Sequence, residues 1–308
     1  MLDSNVMVPN LIDGRFFVSP VLGCRGACSY CYLCLHDYQH PIKNKLSIND
    51  FRNTASNCTD FVFGKNGTII SVGAWGDIFP DEYPDLIDHS VKTIIELLKW
   101  GNPVQIMSKY ALPLEYVQRI ANSVQYAGQL LYSTTITTIE NWRNVEPLTA
   151  SPHDRLSVCN CFHNHGIPTN VLLKPFFTEI TGLEIESIAD LLIEYEVDYC
   201  TVGILYWDEN IIRRIRNNLF LRDKLQLPVT ANDRYLDCDG YQAMKTTDVL
   251  SLRGYVEYLR SQGISAYLKS SCVNANILKA PNPSGYYYSQ NEYCINCGNC
   301  GSTKIYPL

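Results

Sequence analysis

Three cysteines stand on one short segment, Gly23-Cys24-Arg25-Gly26-Ala27-Cys28-Ser29-Tyr30-Cys31, in the spacing Cys-x3-Cys-x2-Cys. Three thiolates on one loop suit three irons of a cubane 4Fe-4S cluster, whose usual complement is four cysteines. The missing fourth protein ligand leaves one iron open to another molecule. Gly26 and Ala27 are small enough for the backbone to fold closely around an inorganic core. Zinc is the rival occupant, although zinc sites favour Cys-x2-Cys pairs and four ligands. Cys34 extends the run to a possible zinc quartet, but reads better as a spare buried thiol.

A second group lies near the other end: Cys294, Cys297 and Cys300, with Cys272 upstream. Cys-x2-Cys-x2-Cys plus one distant cysteine supplies four ligands, enough for a fully ligated auxiliary iron–sulfur cluster. Four thiolates also suit structural zinc, the second choice here. Cys238 is the substitute fourth ligand should Cys272 not serve. The chain holds thirteen cysteines, an odd number crowded at both ends. That is a poor disulfide framework, and in a reducing compartment metal or cluster ligation is the better reading.

Strand-length apolar runs at residues 16–22, 68–72, 104–107, 129–134, 169–175 and 198–205 predict parallel strands buried on both faces. Helical periodicity falls between them at 85–98, 114–124, 153–165 and 183–195. Pro113 and Pro152 sit near helix starts, and Gly101 and Gly166 at helix ends. This alternation predicts an α/β fold, a partial (β/α)6 TIM-type barrel with a cysteine-rich C-terminal extension. Barrel chemistry sits at the C-terminal ends of the strands. The polar residues there are Asp77, Ser108, Lys109, Thr134, Thr135 and Lys174. Beyond them, 208–225 and 246–262 read as helical, 264–269 as a strand, and 272–308 as a tail with little periodicity. The expected division is a barrel core over 1–207, an extension over 208–271 and a cluster-binding tail over 272–308.

Of 308 residues, 46% are apolar and 18% charged, which predicts a globular fold. The net charge is −6, so duplex nucleic acid is not expected as a partner. No window approaches ~18 uninterrupted apolar residues, so no membrane span is expected. No secretory signal pattern is visible, and a cytoplasmic location is expected. Arg213, Arg214, Arg216 and Arg222 read as a solvated helix face, and Asp81-Glu82 as a solvated loop. Cys159 and Cys161 read as core residues, and Tyr286-Tyr287-Tyr288 as tail packing. No Walker loop and no G-x-G-x-x-G is present.

The cysteine loop after a first strand resembles the signature of the radical S-adenosylmethionine (radical SAM) superfamily, and Tyr30 matches the aromatic residue often found before its last cysteine. Within the superfamily the chain resembles the branch of spore photoproduct lyase and photolyase-like proteins. Ser19-Pro20-Val21-Leu22-Gly23-Cys24, Ser71-Val72-Gly73-Ala74-Trp75-Gly76-Asp77, Ser133-Thr134-Thr135-Ile136-Thr137 and Glu146-Pro147 through Leu156 carry that resemblance. It implies a 4Fe-4S cluster that binds SAM at its open iron. Reduction then cleaves SAM to methionine and a 5′-deoxyadenosyl radical, which abstracts hydrogen from a substrate. It further implies that backbone near Gly73 and the Asp77 side chain face the SAM amino group. Ser108, Lys109 and Ser133 would lie near its ribose or carboxylate. Arg155 would pair with that carboxylate, or else with a neighbouring element. Lys174 stands where an apolar residue is expected, as a catalytic residue facing substrate or as a barrel lysine paired with a carboxylate. The expected partners are a small-molecule, nucleoside or peptide substrate and an electron donor such as flavodoxin or ferredoxin. DNA-lesion repair and a non-catalytic cluster- or zinc-binding sensor are the alternative functions.

Overall fold

The computed structural model describes residues 6–12, 14–33, 40–225 and 252–279, with only the backbone of 234–238 and 241–245. Cys34, Cys294, Cys297, Cys300, the Tyr286–Tyr288 run and the Cys238 side chain lie outside the described residues. The first elements are β1 (Asn10–Ile12), β2 (Arg15–Val18), β3 (Val21–Leu22), β4 (Ile42–Lys43) and α1 (Ile48–Asn57). Strands and helices then alternate: β5 (Ile69–Val72), α2 (Pro84–Leu98), β6 (Val104–Met107), α3 (Leu114–Ala121), β7 (Leu130–Thr135), α4 (Trp142–Val145) and α5 (Pro152–Asn164). β8 (Thr169–Leu173), α6 (Ile185–Glu194), β9 (Tyr199–Val202), β10 (Tyr206–Trp207), α7 (Glu209–Asn217) and α8 (Leu219–Lys224) follow. The remainder is β11 (Arg234–Cys238), β12 (Tyr241–Lys245), α9 (Arg253–Ser261), β13 (Ser265–Tyr267) and α10 (Ser270–Leu278).

One eight-stranded sheet runs in the order β1-β2-β5-β6-β7-β8-β9-β13. Only β1 is antiparallel to its neighbour; every other pair is parallel. The six predicted barrel strands are therefore present in sequence order, joined by helical crossovers, and β13 extends the sheet as a seventh parallel strand. β10, β12 and β11 form a separate small antiparallel sheet.

The strands alternate in character. Phe16, Val18, Ile70, Val72, Val104, Ile106, Tyr132, Val171, Leu173, Cys200 and Val202 join one large apolar core with the covering helices. The α2 stripe of Ile87, Val91, Ile94 and Leu98 packs there at helical spacing. Each fully buried aliphatic side chain contributes about 1.5–3 kcal/mol. The intervening strand residues face the other way, and many are polar. Gln105 Nε2 donates to Ser133 Oγ at 3.2 Å, and Asn170 Nδ2 approaches the same oxygen at 3.5 Å. Thr201 Oγ1 donates to Asn170 Oδ1 at 3.1 Å. The continuous apolar reading of these strands is thus half right: both faces are buried, but the inner face carries a hydrogen-bonded polar layer. Such a layer is tolerated where its groups pair with one another, as Gln105, Ser133, Asn170 and Thr201 do, whereas Ser71 Oγ on the same face has no hydrogen-bond partner.

Sequence reasoning placed Cys272 in an irregular tail. The structure instead gives the helix α10, which covers the polar inner face. Asn274 Nδ2 donates to Gln105 Oε1 at 3.1 Å, and Asn276 Nδ2 to the Tyr199 hydroxyl at 3.3 Å. Arg15 Nη1 reaches Ser270 Oγ at 3.4 Å. Arg15 and Tyr199 begin their strands, so α10 lies toward the N-terminal ends, opposite the cysteine loop that follows β3. Cys272 is buried within it. The helix escaped notice because its buried residues, Ser271, Cys272, Val273, Asn274 and Ala275, include two polar ones matched to a polar lumen, which breaks the apolar stripe. α1 was also missed, although Ser47 and Asp50 form a capping box at its start, the local signal that marks a helix. α5 has the same device in Ser151 and Asp154, with Pro152 in the first turn.

Candidate active site

The cysteine loop is fastened at the C-terminal ends of β5, β6 and β7. Gly23 bridges in parallel with Gly76. Gly23 N–H donates to the Trp75 carbonyl at 2.7 Å, and Asp77 N–H to the Gly23 carbonyl at 3.2 Å. Farther on, Ser29 N–H donates to the Val145 carbonyl at 2.9 Å and Leu148 N–H to the Gly26 carbonyl at 3.3 Å. Ala27 adopts φ +50°, a left-handed conformation uncommon without glycine. A methyl group on Gly76 would lie 2.6 Å from the Gly23 carbonyl oxygen and 2.7 Å from that of Val21. Backbone cannot rotate out of the way, so Gly76→Ala must part the two loops. It is expected to destabilise by about 1–3 kcal/mol and to lower iron retention, read by urea denaturation and iron content. Gly254→Ala on α9 meets open space and should be neutral by the same measurements.

Cys28 is buried, and Cys24 and Cys31 are half-buried. Gly26 N–H donates to Cys24 Sγ at 3.3 Å. Lys109 Nζ lies 3.6 Å from Cys28 Sγ. Burial pushes the Cys24 thiol up to about 12, with nearby Asp77 adding to the shift. Burial also raises Cys28, and the Lys109 ammonium pulls it back. Thiols raised in this way are held as thiolates when they bind a metal, which supplies the missing positive charge. Three thiols on one loop, served by N–H donors to sulfur, are a donor set that fits an iron–sulfur cluster with one open iron.

Beneath Cys28 lies a buried ionic network that sequence reasoning did not anticipate. Its centre is Glu146, fully buried at 0% exposure. Glu146 Oε2 accepts from Arg155 Nη1 at 2.6 Å, and Oε1 accepts from Lys109 Nζ at 3.1 Å and from the Tyr30 hydroxyl. Lys109 Nζ also lies 2.6 Å from the Tyr30 oxygen. For Arg155 the expected partner is the SAM carboxylate or else a neighbouring element. Its guanidinium binds Glu146, the Thr135 carbonyl at 2.6 Å, the Ala150 carbonyl at 2.8 Å and Thr149 Oγ1. The pairing observed is with a neighbouring element, as a buried guanidinium requires an anion. Glu146 and Arg155 both fall in the resembling segment, but nothing in its spacing named the partners.

Burial alone would raise the Glu146 carboxyl, but Arg155 and Lys109 bring it down to about 2. Its folded-state pKa is therefore below the ordinary 4.5. The ionised form contributes stability that is full above the unfolded pKa and is lost as pH falls through the folded one. The stability gap between wild type and Glu146→Gln is expected to be constant near neutrality and to close between pH 4.5 and about 2, measured by denaturant titration at stepped pH.

Asp77 is buried and its carboxylate is well occupied. Oδ1 accepts from Ser108 Oγ at 2.5 Å and Phe79 N–H at 3.1 Å, and Oδ2 accepts from Lys109 N–H at 2.8 Å. Asp77 thereby ties the loop after β5 to the loop after β6. Gly73 has φ +100° at the end of β5. Ser133 faces the polar inner layer. Lys174 is exposed at the end of β8, its stem packed beside Gly203 and its ammonium 5.2 Å from the centre of the Tyr206 ring. The basic helix face is more than solvated surface: Arg214 donates to the Cys31 carbonyl, and Asn218 Nδ2 to Ser29 Oγ at 2.9 Å. Asp81 and Glu82 pair with Arg25 of the cysteine loop at 2.8 and 2.7 Å. Cys159 is buried, as expected of a core residue, and Cys161 is half-buried.

No family model and no curated protein matches the chain. Solved structures do. Spore photoproduct lyase complexed with dinucleoside spore photoproduct superposes with a TM-score of 0.59 at 16% identity, covering 82% of this chain and 75% of the lyase. A variant of that lyase with bound AdoMet and the same dinucleoside matches equally, at TM-score 0.59 and 16% identity over 82% and 75% of the two chains. The chain shares the fold of these structures. Streptococcus suis SuiB bound to S-adenosylmethionine shares this fold at a TM-score of 0.51 and 15% identity, over 81% of this chain and 49% of SuiB. Among the described residues, no helix is long and apolar enough to cross a membrane.

Proposed function

We propose that this chain is a radical SAM enzyme whose cluster is held by Cys24, Cys28 and Cys31. The observation that carries the reading is the three-cysteine loop fastened at the C-terminal ends of parallel strands, within a fold shared with structures that hold AdoMet. A 4Fe-4S cluster with SAM at its open iron would supply one-electron cleavage of SAM, and with it a hydrogen-abstracting radical. The chain's own residues bind and orient. Gly73, Asp77, Ser108, Lys109 and Ser133 line up on consecutive strands and the loops after them, where SAM would lie. Tyr30 and Lys109 present a hydroxyl and an ammonium beside Cys28. Lys174, on the rim of the same strand ends, would face substrate. The substrate class is a small molecule, nucleoside or peptide, and a flavodoxin- or ferredoxin-type protein would deliver the electron.

Cys294, Cys297 and Cys300 would bind a second iron–sulfur cluster, with zinc the alternative. Cys272 is the proposed fourth ligand by spacing. Its burial in α10, toward the far ends of the strands, requires the tail to reach that end of the sheet. A second functional reading, lesion repair, draws on the dinucleoside spore photoproduct bound in two of the fold's relatives.

The deciding experiment is anaerobic. Protein reconstituted with iron and sulfide is reduced, given SAM, and assayed for 5′-deoxyadenosine, with and without the dinucleoside lesion. Formation of 5′-deoxyadenosine supports the enzyme, and consumption of the lesion supports repair. Full iron loading with no 5′-deoxyadenosine in either arm overturns the proposal in favour of a cluster-binding sensor.

A further inference from the structure

The loop after β6, Ser108-Lys109-Tyr110, sends two side chains toward two different cysteines. Lys109 reaches Cys28. Tyr110 points the other way, and its hydroxyl lies 3.8 Å from Cys24 Sγ. Tyr110 is 0% exposed, one of the largest fully buried side chains in the protein. A buried phenol needs a partner for its O–H, and the Cys24 sulfur lies within reach.

The phenol is aimed by a chain of contacts. Tyr110 N–H donates to Ser108 Oγ at 3.1 Å, and Ser108 Oγ donates to Asp77 Oδ1 at 2.5 Å. On the other side, Gly26 approaches so closely that an added methyl would stand 3.4 Å from the Tyr110 oxygen and 3.3 Å from Cys24 Sγ. The Arg25 guanidinium lies 5.7 Å from the ring centre. The ring is shut off from solvent.

We propose that Tyr110 is a hydrogen-bond donor to the cluster ligand Cys24 and sets the cluster's reduction potential through it. The inference rests on the radical SAM reading. A phenol keeps its proton near neutral pH, so Tyr110 offers an O–H donor. A ligating thiolate has no proton and only accepts. A donor to that sulfur withdraws electron density, favours the extra electron of the reduced cluster and raises its potential. Tyr110 is a positioning residue in this role, since it acts through Cys24. It differs from Lys109, whose charge is shared with Glu146 and Tyr30.

Tyr110→Phe removes one oxygen and keeps the ring. The reconstituted variant and wild type are titrated reductively without SAM, and the reduced cluster is followed by electron paramagnetic resonance. At equal iron content, the variant is expected to have a lower midpoint. A tenfold loss in reduced-to-oxidised ratio at fixed potential corresponds to a shift of about 59 mV for one electron. An unchanged midpoint overturns the proposal. So does a folded variant that cannot retain iron, since Tyr110 would then be part of the loop's scaffold. If wild type itself takes up no cluster, the radical SAM reading fails rather than this one.

Discussion

Cys28→Ala is expected to abolish 5′-deoxyadenosine formation and strip the iron belonging to the first cluster, while leaving the chain folded. Cys28 is the most buried of the three loop thiols, at 5% exposure, and the middle one in sequence. Removing it leaves two ligands, too few to hold a cubane with one open iron. The substitution trades a thiol for a methyl, and the turn closed by Cys31 N–H on the Cys28 carbonyl at 3.0 Å involves backbone alone. The loop therefore keeps its fastening. Cys200→Ala is the informative contrast. Cys200 is fully buried in β9 within the apolar core. Its loss should cost the usual 0.5–3 kcal/mol, roughly, of a core truncation and leave turnover intact. Iron content, visible absorption and 5′-deoxyadenosine yield would be measured on both. Retained iron and turnover in Cys28→Ala would remove the loop from the chemistry altogether.

Glu146→Ala should produce the largest stability loss of any single substitution near the site. The carboxylate faces Arg155 and Lys109, with the Tyr30 hydroxyl on the same oxygen as Lys109. Deleting it leaves Arg155, itself fully buried, without its anion. Breaking a buried pair by removing one partner costs about 3–5 kcal/mol, because the remaining charge stays desolvated. Glu146→Gln keeps the shape and one acceptor, so a smaller loss is expected. Because Lys109 and Tyr30 border Cys28, the alanine variant should also bind the cluster more weakly. Urea denaturation of the iron-free protein isolates the first effect, and iron retention reports the second. A loss below about 1 kcal/mol would mean that water or another group replaces the carboxylate.

The candidate ligand set of the cysteine loop was legible in the residue string because ligand spacing is a local property. Cys24, Cys28 and Cys31 lie within one turn-length segment, and their separation alone dictates a three-thiolate cradle. The alternation of β2, β5, β6, β7, β8 and β9 with helices was legible for a similar reason: each element buries its own apolar stripe, and the period survives in sequence. Strand ends likewise located Asp77, Ser108 and Lys109 near the loop.

What these residues do to one another was decided only by the tertiary structure. Asp77 ties two strand-end loops together through Ser108 and the Lys109 N–H. Arg155, open in sequence to a ligand carboxylate or a neighbouring element, pairs with Glu146. α10 fills the inner face of the sheet with Asn274 against Gln105, residues 169 apart in sequence. Tyr110 and Cys24 are 86 residues apart. Hydrogen bonds and ion pairs depend on distance and direction in space, and a buried charge takes whichever partner the packing brings within reach. Periodicity carries the burial of an apolar side chain, which needs only a face. It carries nothing of the pairing of polar ones, which need a particular neighbour.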